Sequence, residues 1–249
     1  MISLEGKVAL VTGGNRGIGR AAALLLARSG ADVGITYRSR NAEAEAVVRE
    51  IRALGRRAFA AGGDLAEETT AERVATQCLA ELGRMDAFIG NHGIWPPEEV
   101  ALRDMDASRW RGTMAANLDS IFTSTRAALR RMETGAVVLV SSTAGQRGEA
   151  FHADYAATKG AMISLVKSLA VECAPRITVN AVAPGWVVTE MSESSLANGG
   201  DARIAATIPL RRIATAEDIA GPIVFLCSDL ARHITGEILN VNGGSVLCG

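Results

Sequence analysis

Short apolar runs alternate along the chain with longer segments whose apolar residues recur at helical spacing. The apolar runs lack regular polar alternation, which is typical of parallel strands covered on both faces. They predict strands over residues 8–11, 33–37, 57–61, 87–90, 137–140, 177–182 and 237–241. The segments with helical spacing predict helices over residues 18–29, 42–54, 67–82, 107–132, 153–173 and 216–227.

The alternation of strand and helix predicts an α/β fold with a doubly wound, mainly parallel sheet of seven strands and helices on both faces. No linker, repeat or low-complexity tract divides the chain, so we expect residues 1–249 to form a single domain. Residues 185–210 lack a regular pattern and are rich in serine, asparagine and glycine, which are poor helix formers. We interpret this stretch as a substrate lid; the alternative is a solvated loop without substrate contact.

Composition excludes several classes of function. Hydrophobic residues make up 48% of the chain and charged residues 21%, and the net charge is −1, so no basic field points to nucleic acid. No apolar run is long enough to span a membrane, and the N-terminus lacks a signal-peptide core. The cysteines and histidines lack metal-ligand spacing, so we expect no metal site and free thiols in the cytoplasm.

A glycine-rich turn joins the first predicted strand to the first predicted helix. It reads Thr12-Gly13-Gly14-Asn15-Arg16-Gly17-Ile18-Gly19, with glycines at 13, 17 and 19. Positions without side chains let backbone N–H groups approach a pyrophosphate, and the helix N-terminus adds partial positive charge. The turn therefore favours a dinucleotide site over a chance glycine turn.

The end of the second predicted strand bears on the choice of cofactor. A carboxylate there would bind the ribose 2′-hydroxyl of NAD, but the chain has Tyr37, Arg38 and Ser39. Arg38 can pair with a 2′-phosphate, Ser39 can donate to it, and Arg16 could close on it from the glycine turn. We therefore expect NADP (NADPH) to be preferred, with NAD possible; the alternative is that Arg16 and Arg38 are solvated surface residues.

Tyr155 and Lys159 stand four residues apart in a predicted helix and so share one face. An ammonium at about 4 Å would lower the pKa of a phenol by up to about 3, into the range of a working acid–base group. The alternative is an exposed pair on an ordinary amphipathic helix. Ser142 stands thirteen residues before Tyr155 and follows a predicted strand.

The order of these motifs carries a resemblance that covers almost the whole chain. The shared positions are Thr12-Gly13 with Gly17 and Gly19, Asp64, Asn91-His92-Gly93, Asn117, Ser142, Tyr155 with Lys159, Pro184-Gly185 with Thr189, and Asn242-Gly243-Gly244. The chain thereby resembles the short-chain dehydrogenase/reductase family, whose fold is a Rossmann-like domain. Within it, 3-oxoacyl-acyl-carrier-protein reductases and sugar and small-alcohol dehydrogenases look most similar.

The resemblance implies four catalytic residues. Tyr155 would be the general acid in carbonyl reduction and the base in alcohol oxidation. Lys159 would lower the pKa of Tyr155 and hydrogen-bond the nicotinamide ribose, and Ser142 would polarise the substrate carbonyl. Asn117 would hold a water molecule that relays protons. Two alternatives remain open. Either Ser141 or Ser142 could be a strand-end hydroxyl that caps backbone groups, and Asn117 could be an ordinary polar residue in a helix.

The resemblance also implies a cofactor site. Asp64 and Leu65 would contact the adenine, Asn91 the adenosine ribose, and Val187 and Thr189 the carboxamide. The whole expected set is Gly13, Asn15, Arg16, Gly17, Ile18, Gly19, Tyr37, Arg38, Ser39, Asp64, Leu65, Asn91, His92, Gly93, Tyr155, Lys159, Pro184, Gly185, Val187 and Thr189.

The expected substrate pocket follows Ser142, Gly93 and the Pro184-Gly185 turn. Its candidate residues are Ser142, Thr143, Trp95, Phe151, His152 and Trp186, with Ala144, Glu149 and Met191 nearby. Several are apolar or aromatic, which suits a partly hydrophobic carbonyl or alcohol. The family's pairing of helices between subunits implies a homotetramer.

The chain departs from the family pattern at four places. The usual Asn-Asn-Ala-Gly reads Gly90-Asn91-His92-Gly93, and Glu190 stands where the family often has Asp. The segments 133–135 and 174–177 are each one residue shorter, near the arginines that dock the carrier protein in fatty-acid reductases. Arg130, Arg131 and Arg176 could still serve.

The sequence therefore favours an NADP-dependent oxidoreductase acting on a carbonyl or secondary alcohol. The alternative within enzymes is a 3-oxoacyl thioester reductase. A non-redox, lyase-like relative is disfavoured by the intact glycine turn. A silent binding member is disfavoured by the complete set of Asn117, Ser142, Tyr155 and Lys159.

Overall fold

A computed structural model describes residues 2–248. Seven parallel strands form one sheet in the order β3-β2-β1-β4-β5-β6-β7, which confirms the doubly wound architecture and shows that the sheet is parallel throughout. The strands are β1 (Val8–Val11), β2 (Asp32–Tyr37), β3 (Ala58–Gly62), β4 (Ala87–Gly90), β5 (Gly135–Val140), β6 (Ile177–Pro184) and β7 (Ile238–Val241).

Helices cover both faces of the sheet, as the unbroken apolar strands predict. The α-helices are α1 (Gly17–Arg28), α2 (Asn41–Ala53), α3 (Glu68–Leu82), α4 (Ala107–Met114), α5 (Ser120–Leu129), α6 (Thr143–Arg147), α7 (Ala153–Glu172), α8 (Glu193–Leu196), α9 (Gly200–Thr207) and α10 (Ala216–Leu226). One apolar core packs α1, α2 and α10 against the sheet, and a second packs α3, α5 and α7 against the other face. Within residues 2–248, no helix combines the length and apolar character needed to cross a membrane.

The helix predicted over residues 107–132 is interrupted and ends earlier. A π-helical turn, Ala115–Asp119, separates α4 from α5, and α5 ends at Leu129. The turn contains Asn117, whose amide binds the backbone of Ile94 on a distant loop. A single-turn π-bulge often marks a functional position, and helical periodicity does not reveal it because the flanking pattern is hardly changed.

Residues 190–207 contain more regular structure than their composition predicts. A 3₁₀ turn, Glu190–Ser192, leads into the short helices α8 and α9. The turn is capped reciprocally by Thr189 and Ser192, so local hydrogen bonds offset the poor helix propensity of this stretch.

The strand order reverses direction next to β1, between β2 and β4. Ligands of doubly wound sheets bind in the crevice at such a point, outside the carboxyl ends of the strands. Here Thr12 joins the two ends: its Oγ1 donates to the Ile89 carbonyl at 3.0 Å and accepts from the Asn91 amide at 2.9 Å. The fold therefore brings the glycine turn after β1 against the loop after β4.

Candidate active site

A cavity of about 610 Å³ lies at this crevice, and loops from the carboxyl ends of β1 to β6 line it. All of the residues that the sequence places at the cofactor or the substrate line this cavity, except Gly19, Phe151 and His152. Of the four expected catalytic residues, Ser142, Tyr155 and Lys159 line it and Asn117 lies behind its wall. The topology thus gathers residues that are more than 140 positions apart in the sequence.

Phe151 and His152 depart from the expected substrate wall. Phe151 is 52% exposed and has a left-handed backbone with φ of 63°. His152 is buried and its Nε2 lies 3.0 Å from the Pro96 carbonyl oxygen, so it supports the loop after Gly93 from behind. Neither residue lines the cavity in this structure, so a direct contact of either with the substrate stays a prediction.

The glycine turn forms a cradle that side chains would fill. Gly13 and Gly17 have φ of 62° and 50°, values that favour glycine. Gly19 lies one turn inside α1, where an added Cβ would stand 2.2 Å from the Gly13 carbonyl oxygen. Gly19 therefore allows α1 to pack beneath the turn, and the N-terminus of α1 faces the cavity as a phosphate site requires.

Arg16 and Arg38, the arginines expected to bind a 2′-phosphate, have Arg40 beside them at the same end of the cavity. Arg16 and Arg40 both contact Glu190, with N–O distances of 2.7 Å and 2.6 Å, whereas Arg38 pairs with Asp64 at 3.4 Å. Arg40 follows β2 in a left-handed conformation with φ of 65°. The sequence Arg38-Ser39-Arg40 places a second arginine next to the expected one, but Arg40 was not among the residues predicted to bind the cofactor.

His92 lines the cavity and carries unpaired polar atoms. Both ring nitrogens are buried and have no hydrogen-bond partner within residues 2–248. Burial, followed by the charge of Lys159, lowers the pKa of His92 to about 3, so the ring is neutral at physiological pH. Unpaired buried polar atoms are costly, and together with the glycine cradle they indicate that this part of the cavity fits a polar ligand such as a dinucleotide.

Ser142 follows β5 and caps the short helix α6. Its Oγ accepts a hydrogen bond from the Ala144 amide at 3.1 Å and faces the cavity. The neighbouring Ser141 is buried and donates to the Lys159 carbonyl at 2.8 Å. Ser141 thus fixes β5 to α7, which leaves Ser142 as the hydroxyl that can reach a substrate.

Tyr155 and Lys159 face the cavity from the first two turns of α7. Arg109 and Thr113 on α4 hold the buried Asp154 at 3.1 Å and 2.8 Å, and so fix the start of this helix. The Lys159 ammonium donates to the Val140 carbonyl at 2.8 Å and lies 5.7 Å from the centre of the Tyr155 ring. Helical spacing therefore places both groups as predicted, but the ammonium is anchored to β5.

Burial dominates the proton affinities of this pair. It raises the pKa of Tyr155 to about 12, although the Ser142 hydroxyl acts in the opposite direction. Burial also lowers the pKa of Lys159 to about 8. The expectation that Lys159 brings the pKa of Tyr155 below its usual value is therefore wrong for this structure, because both charged forms lose hydration.

Asn117 fixes the wall next to Lys159. Its Oδ1 accepts from the Ile94 amide at 2.7 Å, and its Nδ2 donates to the Ile94 carbonyl at 3.0 Å. The Asn117 side chain is fully buried, and these bonds pair its amide with both backbone groups of Ile94. In this structure Asn117 positions residues 93–95 rather than lining the cavity.

An aromatic cluster covers Tyr155 on the substrate side. The Trp95 ring stacks on His152 with centroids 3.9 Å apart and meets the edge of Tyr155 at 4.8 Å. Trp186, from the turn after β6, approaches Trp95 at 6.3 Å. The indole of Trp95 therefore borders the phenol, and Trp186 extends this apolar wall of the cavity.

Known proteins share this sequence and architecture. A family model described as enoyl-(acyl carrier protein) reductase matches residues 13–245. A 3-oxoacyl-acyl-carrier-protein reductase from Staphylococcus aureus is 38% identical over 242 residues, covering 96% of this chain and 97% of its own. An L-rhamnose 1-dehydrogenase (NAD(P)(+)) from a Sphingomonas species is 39% identical over 247 residues, covering 97% and 96%.

Solved structures agree with these sequence relatives. A short-chain dehydrogenase from Burkholderia cenocepacia in complex with NADP superposes with a TM-score of 0.91 at 35% identity, covering 97% of this chain and 98% of its own. A short-chain dehydrogenase/reductase of glucose/ribitol dehydrogenase type from Brucella melitensis superposes with a TM-score of 0.90 at 32% identity, covering 99% of both chains. With the glycine cradle and Ser142, Tyr155 and Lys159 on one cavity, these matches lead to one conclusion: the chain belongs to the short-chain dehydrogenase/reductase family.

Proposed function

We propose that this protein is an NADP-dependent oxidoreductase that interconverts a carbonyl group and a secondary alcohol. The observation that carries the proposal is the convergence of Ser142, Tyr155 and Lys159 on the cavity that the glycine cradle opens into. Bound NADPH would supply the hydride. The cradle at Gly13 and Gly17 and the neutral ring of His92 would hold that cofactor.

Tyr155 is suited to donate a proton in carbonyl reduction. With a pKa of about 12 it is protonated at neutral pH and can give its proton to the developing alkoxide. The Ser142 hydroxyl would donate a second hydrogen bond to that oxygen, and the Lys159 ammonium would add positive charge nearby. In alcohol oxidation Tyr155 would act in reverse, as the base.

The path that returns a proton to Tyr155 passes near Lys159 and Asn117. A Cβ at Gly93 would lie 3.1 Å from the Asn117 Oδ1 and 3.7 Å from the Lys159 Nζ, so both groups border the same small space. We propose that a water molecule held there connects Lys159 with solvent, and that Asn117 orients it through the Ile94 backbone it binds.

NADP is favoured over NAD by charge. No carboxylate follows β2, whereas Arg16, Arg38, Ser39 and Arg40 all line this end of the cavity. The relative from Burkholderia cenocepacia was solved with NADP, which supports the assignment. NAD remains the second cofactor, as the name of the rhamnose dehydrogenase illustrates.

A 3-oxoacyl thioester is the second candidate substrate, because the Staphylococcus aureus relative is a 3-oxoacyl-acyl-carrier-protein reductase. On the docking side, however, Arg130 and Arg131 are both paired with Glu72, at 2.7 Å and 2.6 Å. An acidic carrier would have to compete with that carboxylate. We therefore favour a small, partly hydrophobic carbonyl or alcohol that packs against the cavity wall formed by Trp95 and Trp186.

We also propose a homotetramer in the cytoplasm, with residues 185–210 as the substrate lid of a single domain. Phe122 on α5 and Val171 on α7 are 50% and 80% exposed, as expected of helices that pack against a second copy. The cysteines Cys78, Cys173, Cys227 and Cys248 are free, which suits a reducing compartment.

The test titrates NADPH and NADH by fluorescence and then follows NADPH absorbance with a panel of carbonyls. The panel contains simple ketones, acetoacetyl thioesters and aldoses, the last supplied with oxidised cofactor. Tighter binding of NADPH and turnover of at least one class are expected. Tighter binding of NADH would overturn the cofactor assignment, and faster turnover of the thioester would favour the second candidate.

A further inference from the structure

Glu190 connects the lid to two arginines on the cavity rim, Arg16 and Arg40. Residues 190–207, here named the lid segment, begin at this residue. Among residues 2–248, every hydrogen bond or ion pair that joins the lid segment to parts of the chain outside residues 187–211 is made by the Glu190 carboxylate. Apart from bonds to neighbouring residues, such as those of Ser192 to Val187 and Thr189, the polar attachment of the lid segment thus depends on the Glu190 carboxylate.

A single oxygen of Glu190 accepts both bonds. Its Oε2 lies 2.7 Å from the Arg16 Nη1 and 2.6 Å from the Arg40 Nη1. Arg16 belongs to the glycine turn after β1, and Arg40 stands at the start of α2, so two loops on the cavity rim meet at this carboxylate. The two guanidinium groups lower the pKa of Glu190, with Arg16 as the larger cause, so the carboxylate is ionised at neutral pH.

Arg16 and Arg40 both line the cavity and are candidates to bind a cofactor 2′-phosphate. Arg38 is the third candidate, but it is 68% exposed and is held at 3.4 Å by Asp64. A phosphate monoester carries between one and a half and two negative charges and three acceptor oxygens, whereas a carboxylate carries one charge and two oxygens. A 2′-phosphate in this position would therefore compete with Glu190 for Arg16 and Arg40, and its larger charge would attract both guanidinium groups more strongly.

The Glu190 side chain can move away from Arg16 and Arg40 without unfolding the 3₁₀ turn to which it belongs. The Ser192 Oγ donates to the Val187 carbonyl at 2.6 Å and accepts from the Thr189 amide at 3.2 Å, so the 3₁₀ turn is held independently. The Glu190 side chain is 47% exposed and can rotate into solvent. The exchange changes ion pairs while the backbone of the turn stays in place.

We propose that the Glu190 carboxylate occupies the position of the cofactor 2′-phosphate, and that this phosphate displaces it from Arg16 and Arg40. Glu190 is then a specificity-determining residue that limits the affinity for NADP and loosens the lid segment when that position is filled. The inference rests on the proposed use of NADP and adds a role for a residue that contacts no reacting atom.

The first test compares cofactor affinities of the wild type, Glu190→Gln and Glu193→Gln by fluorescence titration. Glu190→Gln removes the competing charge, so the Kd for NADPH should fall about threefold to tenfold, while affinity for NADH does not increase. Glu193 is exposed, lies three residues further along the lid segment and has no ion-pair partner among residues 2–248. Glu193→Gln removes the same charge and should leave both Kd values within about twofold.

The second test separates the phosphate from the rest of the cofactor. Hydrogen exchange of the lid segment is measured with 2′,5′-ADP and with 5′-ADP, which differ by the 2′-phosphate. In the wild type, 2′,5′-ADP should speed exchange in α8 and α9, and 5′-ADP should not. In Glu190→Gln the exchange should be fast already and insensitive to either compound.

The outcomes distinguish this inference from the proposed function. If the wild type prefers NADPH but Glu190→Gln binds it no tighter, or if 2′,5′-ADP slows exchange in the lid segment, the role of Glu190 is wrong and the cofactor assignment stands. If the wild type binds NADH at least as tightly as NADPH, the cofactor assignment fails and the inference fails with it.

Discussion

The ammonium of Lys159 lies 5.7 Å from the centre of the Tyr155 ring and is anchored at 2.8 Å to the backbone carbonyl of Val140. Both side chains are buried, with exposed fractions of 4% and 9%. Two ionisable groups therefore share a poorly hydrated site. The energetic consequence is that each charged form is disfavoured, which makes their proton affinities the most informative quantities to measure.

Replacing Tyr155 with phenylalanine should remove catalysis while the fold and cofactor binding persist. Loss of the proton donor should lower kcat by about 10²–10⁴-fold, because positioned acid–base groups contribute that much. Fluorescence titration should give a Kd for NADPH within about threefold of the wild type. Phe151→Leu is the matched control, since Phe151 is exposed and does not line the cavity; its kcat should be unchanged. Undiminished turnover in Tyr155→Phe would remove Tyr155 from the mechanism.

Burial of Lys159 should give this residue a contribution to stability that increases with pH. The pKa of Lys159 is about 8 in the folded chain against an ordinary value of 10.5, so between these values the unfolded chain binds the proton and the folded chain does not. This group alone therefore adds about 2 kcal/mol to the free energy of unfolding between pH 8 and 10. The buried thiols of Cys78 and Cys227, whose pKa values burial raises from 9.0 to about 12, act in the opposite direction above pH 9. Above pH 10 the raised pKa of Tyr155, about 12 against 10.0, also acts in the opposite direction because the unfolded chain loses its phenol proton first.

The measurement is urea unfolding at pH 7.5 and pH 10 for the wild type, Lys159→Met and Lys167→Met. Relative to the wild type, the stability of Lys159→Met should be about 2 kcal/mol less favoured at pH 10 than at pH 7.5, because methionine fills a similar volume and does not titrate. Lys167 lies on the exposed face of α7, and its replacement should keep the pH dependence of the wild type. Equal pH dependence in Lys159→Met and Lys167→Met would show that Lys159 is not the titrating group.

Alanine should be destabilising at Gly19, beneath the glycine turn, and stabilising at Gly112, on an exposed helix face. A Cβ at Gly19 would meet the Gly13 carbonyl oxygen at 2.2 Å and the Asn91 Nδ2 at 2.5 Å. Gly19→Ala should therefore destabilise the fold by about 2–4 kcal/mol and weaken NADPH binding. Gly112 on α4 is exposed and has nothing within 4 Å of its added Cβ, so Gly112→Ala should stabilise by about 0.5–1 kcal/mol. Thermal unfolding and cofactor titration check both; a stable, binding-competent Gly19→Ala would contradict the packing described for the turn.

The sheet and the glycine turn were predictable because their signals are local. A buried parallel strand such as Val8–Val11 is apolar on both faces, and the turn that follows must lack side chains whatever the distant chain does. Tyr155 and Lys159 were likewise predictable as neighbours, since helical spacing alone places them on one face.

The remaining features depend on contacts between distant residues. The π-helical turn at Asn117 satisfies the backbone of Ile94, and no periodicity records that need. Arg40 and Glu190 are 150 residues apart, so their ion pair follows only from the fold. The raised pKa of Tyr155 follows from burial in the folded chain, whereas the sequence reveals only the charge of its helical neighbour Lys159.

Trp95 should control substrate affinity more than the chemical step. Its ring is held by stacking on His152 at 3.9 Å and contacts Tyr155 edge-on at 4.8 Å, so it forms an apolar wall beside the phenol. Trp95→Leu removes aromatic area that a bulky ketone would contact equally before and during the reaction. Such uniform binding changes KM and leaves kcat nearly constant, so KM for a bulky ketone should rise about tenfold.

The control for that experiment is Trp110→Leu. Trp110 lies on α4, is 37% exposed and does not line the cavity, so its KM and kcat should match the wild type. Steady-state kinetics with a small and a bulky ketone separate two roles for Trp95. A rise in KM confined to the bulky ketone assigns it to substrate binding. A fall in kcat for both ketones, with a displaced pH profile, would instead mean that Trp95 positions the Tyr155 hydroxyl, because the loss would then follow the proton donor and not the size of the substrate.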